Sequence, residues 1–301
     1  MFFKNAIVYE CSNTEVLNNI NNELLHEITF KPCGSIDTVK GGFVSPIDNP
    51  DELMLNVQGH ILLRYKIEQK VLPPAVIKQT LLEKIDKQEK LLKRKLTKSE
   101  KASLKDEVLI DLLPRAFSKY DHYWLWVDTK NKRIIIESSN FKLAENILSL
   151  LRKELGILAL SPLSLDTPLE QMMTKWVKEN LSFPPLALGD QVELQDLHDD
   201  VNSSIINCKN QEITSDEIRV HLDFGKWVTK LKICDERGVS YVLNKNFIFK
   251  QIRFDLDIVD ENEDIPIEDK TERLKANFFL ISKILSNSIN DIKQVFEKIK
   301  Y

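Results

Sequence analysis

Glycine is scarce in this sequence, with 8 residues in 301. The chain contains no Walker-type loop, no GxGxxG fingerprint and no GxSxG nucleophile elbow. Loops that cradle phosphate groups need glycine, because their backbone N–H groups must approach the phosphate closely. The composition therefore argues against an ATPase and against a dinucleotide-dependent enzyme.

Long apolar runs are also missing. No stretch of about 18 apolar residues occurs, which argues against a transmembrane helix. The opening MFFKNAIVYE has neither the apolar core nor the small-residue cleavage site of a signal peptide. We therefore expect a bacterial-type cytoplasmic protein that begins at Met1. The cysteines form no CxxC pair, as is typical of reduced thiols, and they stand at Cys11, Cys33, Cys208 and Cys234.

Excess positive charge is absent as well, since the formal net charge is -4 and the sequence pI is about 5.9. Taken alone, this balance argues mildly against nucleic-acid binding. The charge is nevertheless segregated along the chain. Residues 78–105 carry ten Lys or Arg against four Asp or Glu, and residues 251–272 carry nine Asp or Glu against two Lys or Arg. Because binding depends on the local field, the basic segment matters more than the total.

The hydrophobic pattern predicts an α+β fold, with antiparallel sheets, flanking helices and a basic helical arm. Strand-like alternation in HYWLWVDTKNKRIII contrasts with the amphipathic helical pattern of FKLAENILSLLRKELG. We predict an N-terminal α+β domain of residues 1–72 and 115–165. A basic helical hairpin, residues 73–114, is inserted in it, and residues 166–301 form a C-terminal α+β domain.

Several segments have weaker patterns. Residues 14–28 read as one helix, because their apolar side chains recur near helical spacing. Residues 30–35 and 41–50 are rich in glycine and proline and read as turn-rich connections. Residues 157–168 read as a linker between the two predicted domains.

The basic arm is predicted as two consecutive helices. The first runs from about Pro74 to Leu96, since proline fits the first turn of a helix. The sequence TKSE, Thr97–Glu100, is a capping box that starts the second helix, which ends at or just before Pro114. At 100° per residue, the first helix has an apolar face of Ile77, Leu81, Ile85, Leu92 and Leu96, with Lys87, Lys90 and Arg94 almost opposite.

Two interpretations of this lysine face remain open. A cationic stripe opposite an apolar face supplies phosphate contacts without reading bases. The alternative is an ordinary solvated helix face, in which Glu83, Asp86 and Glu89 pair with lysines three or four residues away.

The segment LPRAF that follows the arm is a second candidate. Pro114 ends the helical geometry, so Arg115 and Phe117 can project from the chain. A phenylalanine is most often part of the core, but an exposed aromatic at a loop tip can anchor a partner protein.

A third candidate lies in the second half of the chain. Lys209 and Gln211 precede a helix that Thr214 or Ser215 can cap. Lys226, Lys230 and Lys232 alternate along a predicted strand and so share one face. The alternative is the ordinary wet face of an antiparallel sheet.

Enzyme signatures are weak. The five histidines stand far apart, and the tightest polar group joins His198 to Asp199 and Asp200. The acidic run DENED could bind magnesium in a nuclease through Asp260, Glu263 and Asp264. Such sites usually take carboxylates from separate elements, so both groups also read as solvated loops. We expect no metal site, no cofactor and no catalytic activity.

Long strings of this sequence nevertheless resemble a known family. FKPCGS, LPPAVIKQTLLEKI, SLKDEVLIDLLPRAFSKY, WVDT, LRKELG, TKWV, TSDEIRVHLDFGKWVTKL and NEDI occur in the order seen in the recombination-associated protein RdgC family of bacteria. The resemblance spans nearly the whole chain. It implies a nucleoid-associated protein that binds double-stranded DNA without sequence specificity, and single-stranded DNA is a second candidate partner. It also implies a ring-shaped homodimer with a basic central hole, and restraint of the RecA recombinase.

The resemblance also implies roles for particular residues. Phe117, with Leu113 beside it, would form the dimer contact, and the basic helix with Lys87, Lys90 and Arg94 would lie near that contact. Lys209 and Gln211 would face the hole, although Asn210 departs from the family, whose members often carry a basic residue there. We add Lys78, Arg115 and Lys226 to the DNA contacts from their charge and position. Two alternatives remain: a magnesium-dependent nuclease, and a recombinase-binding protein that does not contact DNA.

Overall fold

The computed structural model describes residues 3–13, 15–47, 49–197, 203–255 and 269–299. Helices and antiparallel sheet are mixed along the chain, so the α+β class is confirmed. The strands are β1 (Ala6–Cys11), β2 (Val39–Val44), β3 (Met54–Val57), β4 (His60–Val71), β5 (Phe117–Asp128), β6 (Arg133–Ile136), β7 (Leu160–Pro162), β8 (Leu186–Gln195), β9 (Ile205–Lys209), β10 (Trp227–Asp235), β11 (Val239–Asn244) and β12 (Ile248–Phe254).

Helices lie between and after these strands. They are α1 (Glu15–Asn18), α2 (Asn22–Glu27), α3 (Pro74–Leu92), α4 (Lys98–Leu112), α5 (Phe141–Leu155), α6 (Leu169–Lys178), α7 (Asp216–Asp223) and α8 (Lys270–Ile299), with a 3-10 turn at Leu113–Arg115. No helix in the described ranges is both long enough and apolar enough to cross a bilayer.

The twelve strands form one sheet in the order β2-β4-β5-β6-β1-β12-β11-β10-β8-β9, with β3 beside β4 and β7 beside β1. The first strand is central, because Ile7 pairs with Ile136 of β6 and also with Ile248 of β12. Strand β1 is buried along almost its whole length, as expected for a strand covered on both faces. The sheet therefore continues across residue 165, and the division into two domains at that point stays a prediction.

Two apolar cores cover the sheet. One contains the long helix α8 and helix α6; the rings of Phe278 and Trp126 of β5 lie 6.2 Å apart in it, and Leu285 and Trp176 belong to the same core. The other contains helices α2 and α5, with Ile147 among its buried residues. Each large side chain that leaves water contributes about 1.5–3 kcal/mol, so these cores hold the sheet rigidly behind the surfaces described below.

The structure differs from the predicted elements at four places. Residues 14–28 form two short helices, and residues 160–162 of the predicted linker form β7. Strand β2 is the third difference, because it includes part of residues 41–50, which are predicted as turns. Gly41 and Gly42 have no side chains whose alternation could indicate a strand. A Cβ atom on Gly42 would collide with the backbone of Phe30.

Helix α3 is the fourth difference. It ends at Leu92 instead of Leu96, because Lys93 adopts a left-handed conformation with φ 51°. Leu96 follows this turn and is buried, whereas Leu92 is 45% exposed. The predicted apolar face is therefore only half-buried along the helix itself.

Candidate nucleic-acid interface

The basic arm is carried at the end of a long β-hairpin. Strands β4 and β5 pair over twelve residues, from His60↔Asp128 to Val71↔Phe117. Helices α3 and α4 are inserted between the ends of these strands, so the arm projects where the hairpin stops. The arm has a small apolar core: no residue of α3 is buried, and in α4 Leu104 and Val108 are buried.

The turn between the two helices is closed by the predicted capping box, which is confirmed. The Thr97 hydroxyl accepts a hydrogen bond from the Glu100 backbone N–H, and the Glu100 carboxylate accepts one from the Thr97 N–H at 2.8 Å. Arg94 donates two further hydrogen bonds to the same carboxylate, at 2.7 Å and 3.0 Å. These bonds hold the tip of the arm in one conformation.

Four of the ten cations of residues 78–105 are paired with carboxylates. These pairs are Lys84–Asp111 at 2.5 Å, Lys90–Asp86 at 2.5 Å, Arg94–Glu100 at 2.7 Å and Lys101–Glu89 at 3.7 Å. The solvated-face interpretation therefore holds for part of the arm. Six exposed lysines have no carboxylate within 4 Å in the described ranges, and they are Lys78, Lys87, Lys93, Lys95, Lys98 and Lys105. We call these six residues the arm lysines.

The arm lysines lie mostly at the tip. Lys93 and Lys95 occupy the turn itself, and Lys87 and Lys98 flank it on the two helices. Apart from Glu100, which pairs with Arg94, the acidic residues of α4 lie towards its other end, at Asp106, Glu107 and Asp111. The arm therefore has a positive tip and a more acidic base.

Phe117 begins strand β5 at the base of the arm, and its side chain is 85% exposed. The core interpretation of this residue is therefore wrong for the single chain. Arg115 is exposed two residues earlier, at the end of the 3-10 turn. Leu113 is only 4% exposed, so it can support this turn from beneath but has little surface to offer a partner.

The predicted contacts of the second half are partly occupied within the chain. Lys209 is exposed on β9, the last strand at one edge of the sheet. Gln211 donates a hydrogen bond to Glu217 at 2.6 Å, and Lys226 donates to the Ser204 carbonyl oxygen at 3.1 Å.

Strand β10 carries only two of the three lysines predicted to share a face, because Lys226 precedes the strand and the register shifts between Val228 and Lys230. Lys230 and Lys232 lie on one face as expected, but carboxylates of β8 pair with both. The Lys230–Glu193 distance is 2.5 Å, and the Lys232–Asp190 distance is 2.6 Å. The interaction with Lys232 holds the pKa of the Asp190 carboxyl below its ordinary value. This part of the face carries little net positive charge.

Comparison with known proteins finds relatives over nearly the whole chain. The sequence model of a family described as "RdgC: Putative exonuclease, RdgC" matches residues 1–299. The chain belongs to the RdgC family. The recombination-associated protein RdgC of Yersinia pestis (strain Pestoides F) is 41% identical over 294 residues, which cover 97% of this chain and 96% of the relative. The protein of the same description from Yersinia enterocolitica serotype O:8 has the same identity and coverage.

The nuclease-like carboxylates of this RdgC family member lie outside the described residues. They are Asp260, Glu263 and Asp264, and the same holds for the group at His198, Asp199 and Asp200. Within the described part of the chain, no group of three His, Cys, Asp or Glu side chains is arranged to hold a metal ion.

One basic group of this family member is not among the predicted sites. Arg64 and Lys66 on β4 lie beside His122 and Trp124 on β5, on a single face of the hairpin. The signal in the sequence is the alternation R-Y-K in strand β4, which places the two cations on one side. Phe30, from a loop 36 residues earlier than Lys66, completes the group, and no local pattern indicates that contact.

Proposed function

We propose that this protein is a nucleoid protein that binds double-stranded DNA without sequence specificity, encircles it as a homodimeric ring, and modulates RecA-dependent recombination. The observation that carries the proposal is the set of exposed arm lysines, most of them near the tip of the arm, with no carboxylate of the described residues within 4 Å. The name of the relatives, recombination-associated protein, supports the link to recombination.

The chemistry of the arm suits backbone recognition. Lysine ammonium groups neutralise phosphates, and such contacts position a protein on DNA without reading its sequence. Each neutralised phosphate releases counterions, so the logarithm of the affinity falls with the logarithm of salt by about 0.9 per contact. A chain of net charge -4 can bind DNA in this way, because its positive charge is concentrated on a projecting element.

The exposed side chain of Phe117 supports the homodimer. A two-fold ring presents each surface twice, so one apolar side chain per subunit gives two contributions to a symmetric contact. Phe117 lies at the base of the arm, and a contact there would bring the arms of two subunits close together. DNA that the homodimer encloses would be less available to a recombinase.

Fluorescence anisotropy with a labelled duplex at low salt tests the DNA-binding proposal. The variant carries Lys93→Glu and Lys95→Glu, in the turn at the tip of the arm. The matched control carries Lys130→Glu and Lys132→Glu, in the β5–β6 turn at the opposite end of the hairpin. Lys93 and Lys132 both have left-handed backbones, with φ 51° and 59°, so the two variants are alike in local geometry.

We expect the arm variant to lose roughly tenfold in affinity, equally for duplexes of different sequence, and to show a smaller salt slope. The control should bind as the wild type does. Equal affinity of the two variants would remove the arm from the interface. If the wild-type protein binds no duplex at low salt, the proposal fails and a recombinase-binding role without DNA contact is favoured.

The description of the matching family favours one second candidate, a magnesium-dependent exonuclease. Its carboxylates would be Asp260, Glu263 and Asp264. Incubation of an end-labelled linear duplex with protein and magnesium tests it, with Asp264→Ala as the variant. Degradation that the variant abolishes would establish the nuclease, whereas intact DNA in both reactions would exclude it.

A further inference from the structure

A cluster of cations and aromatic rings lies on one face of the β4–β5 hairpin. Lys66 pairs across the strands with His122, and Arg64 pairs with Trp124. Directly opposed residues of an antiparallel pair point to the same side of the sheet, so these four side chains share one face.

Aromatic rings hold the Lys66 ammonium group in place. Its Nζ atom lies 4.6 Å from the centre of the Phe30 ring and 4.5 Å from the centre of the Tyr120 ring. The two rings themselves are 6.5 Å apart at an angle of 75°. Arg64 lies in a similar way over Trp124, with 5.4 Å between Cζ and the ring centre.

This arrangement of Lys66 differs from that of the paired lysines. A cation beside a carboxylate forms a neutral pair, whereas a cation over a ring keeps its full charge. The Lys66 ammonium has no carboxylate within 4 Å in the described residues, in contrast to Lys230 and Lys232. Because the rings already restrict the side chain, little conformational entropy remains to be lost when an anion binds.

A groove of about 420 Å³ opens beside the cluster. It is lined by Thr29, Val44, Ser45, Pro50, Leu53, Arg64, Lys66 and His122. The Ser45 hydroxyl oxygen accepts backbone N–H bonds from Ile47 at 3.2 Å and Asn49 at 3.0 Å, and its own hydrogen can therefore donate to a ligand. The groove thus presents charged and neutral donors to a single space.

Two cationic side chains, Arg64 and Lys66, line the groove beside His122. Burial and then the charges of Arg64 and Lys66 lower the pKa of His122, while Asp121 acts in the opposite direction. Glu68 follows on the same face of β4, but its carboxylate accepts hydrogen bonds from Ser118 and from the Cys33 N–H. Among the described residues that line the groove there is no carboxylate, and Lys66, His122 and Ser45 are the donors that we expect an anion to meet.

We propose that this groove, centred on Lys66 and His122, binds a phosphodiester group of the DNA backbone. The proposal rests on the proposed function and adds a second contact surface to it. The hairpin connects the two surfaces, because Lys66 precedes Val71, where the arm begins, by five residues. At about 3.4 Å per residue the groove lies about 17 Å from the base of the arm, and the 19 residues of α3 extend about 28 Å further towards its tip.

Lys66→Met is the principal variant, because it removes the charge and keeps an apolar stem between the rings. Lys119→Met is its matched control on β5, at a position that faces the other side of the hairpin. Duplex affinity is measured over a series of salt concentrations. We expect Lys66→Met to lose about three- to tenfold in affinity and to lower the salt slope by about 0.9 for each bound copy of the site. The control should match the wild type.

A second measurement follows the His122 imidazole by NMR. Duplex binding should raise its pKa in the wild type, and His122→Gln should weaken binding without loss of the folded spectrum. Inorganic phosphate is tested as a separate ligand, to distinguish binding of free phosphate from binding of the DNA backbone. If phosphate at the same concentration of phosphate groups saturates the groove as well as duplex does, the site is one for free phosphate and the proposal is overturned.

The two proposals fail in different ways. If Lys66→Met keeps both the affinity and the salt slope, while Lys93→Glu with Lys95→Glu loses binding, the groove is excluded and the arm remains. If the wild type binds no duplex at all, both proposals fall.

Discussion

The guanidinium group of Arg94 and the carboxylate of Glu100 form two hydrogen bonds, at 2.7 Å and 3.0 Å, across the turn of the basic arm. Glu100 is thereby bound both to a side chain and to the backbone of Thr97, so the turn is closed by a single carboxylate. The same bonds neutralise Arg94. Its contribution to the arm is therefore structural, and the neighbouring Lys93 and Lys95 supply the charge at the tip.

The pKa of Glu100 offers a direct test of this turn. Its hydrogen bond with Arg94, followed by the bonds with Thr97, lowers the pKa to about 2 from an ordinary value of 4.5. Because the pKa is lowered in the folded state, the stabilisation is complete above pH 4.5 and is lost as the pH falls towards 2. We expect an NMR titration of the Glu100 carboxyl to show this low value, and Arg94→Gln to raise it. Lys84→Gln, which leaves the turn intact, is the control; a wild-type carboxyl that titrates near 4.5 would contradict the bonded turn.

Phe117 is predicted to hold the dimer together. Phe117→Ser should weaken dimerisation at least roughly tenfold, since an aromatic anchor at an interface contributes about 2 kcal/mol. Sedimentation velocity over a range of concentrations measures the effect. The matched control is Phe224→Ser, because Phe224 is also 85% exposed but follows helix α7 in the other half of the chain. An unchanged dimer in the Phe117 variant, or equal weakening in both, would show that the contact lies elsewhere.

A buried carboxylate connects the long helix α8 to the hairpin. Asp128 at the end of β5 is fully buried and accepts hydrogen bonds from Ser286 at 2.7 Å and from the Asn131 side chain at 2.8 Å. Asp128→Ala leaves the Ser286 hydroxyl without this acceptor, and the Asn131 side-chain amide nitrogen keeps only its bond to Ser286, so we expect the free energy of unfolding to fall by about 3 kcal/mol.

Urea denaturation measures this loss. Asp128→Asn keeps one acceptor oxygen and should cost less than the alanine variant. Asp106→Ala, an exposed position on α4, is the control and should leave the unfolding free energy within about 0.5 kcal/mol of the wild type. Equal stability of Asp128→Ala and the wild type would mean that the buried network does not hold α8 in place.

The parts of this protein that follow from local patterns are predicted well from sequence. The capping box at Thr97–Glu100, the hairpin of β5 and β6 and the amphipathic helix α5 depend on residues a few positions apart, and the structure has all three. Strand β2 is different, because Gly41 and Gly42 carry no side chains whose alternation could be read. Its pairing with β4 is a long-range interaction.

The sequence by itself determined where charge is concentrated, and therefore that residues 78–105 form a basic arm on an acidic chain. Only the tertiary structure decided which cations keep their charge. Lys230 meets Glu193, 37 residues earlier, whereas Lys66 lies between Phe30 and Tyr120. The reason is that strand register and loop packing determine the partner of each cation, and these long-range contacts cannot be read from spacing along the chain.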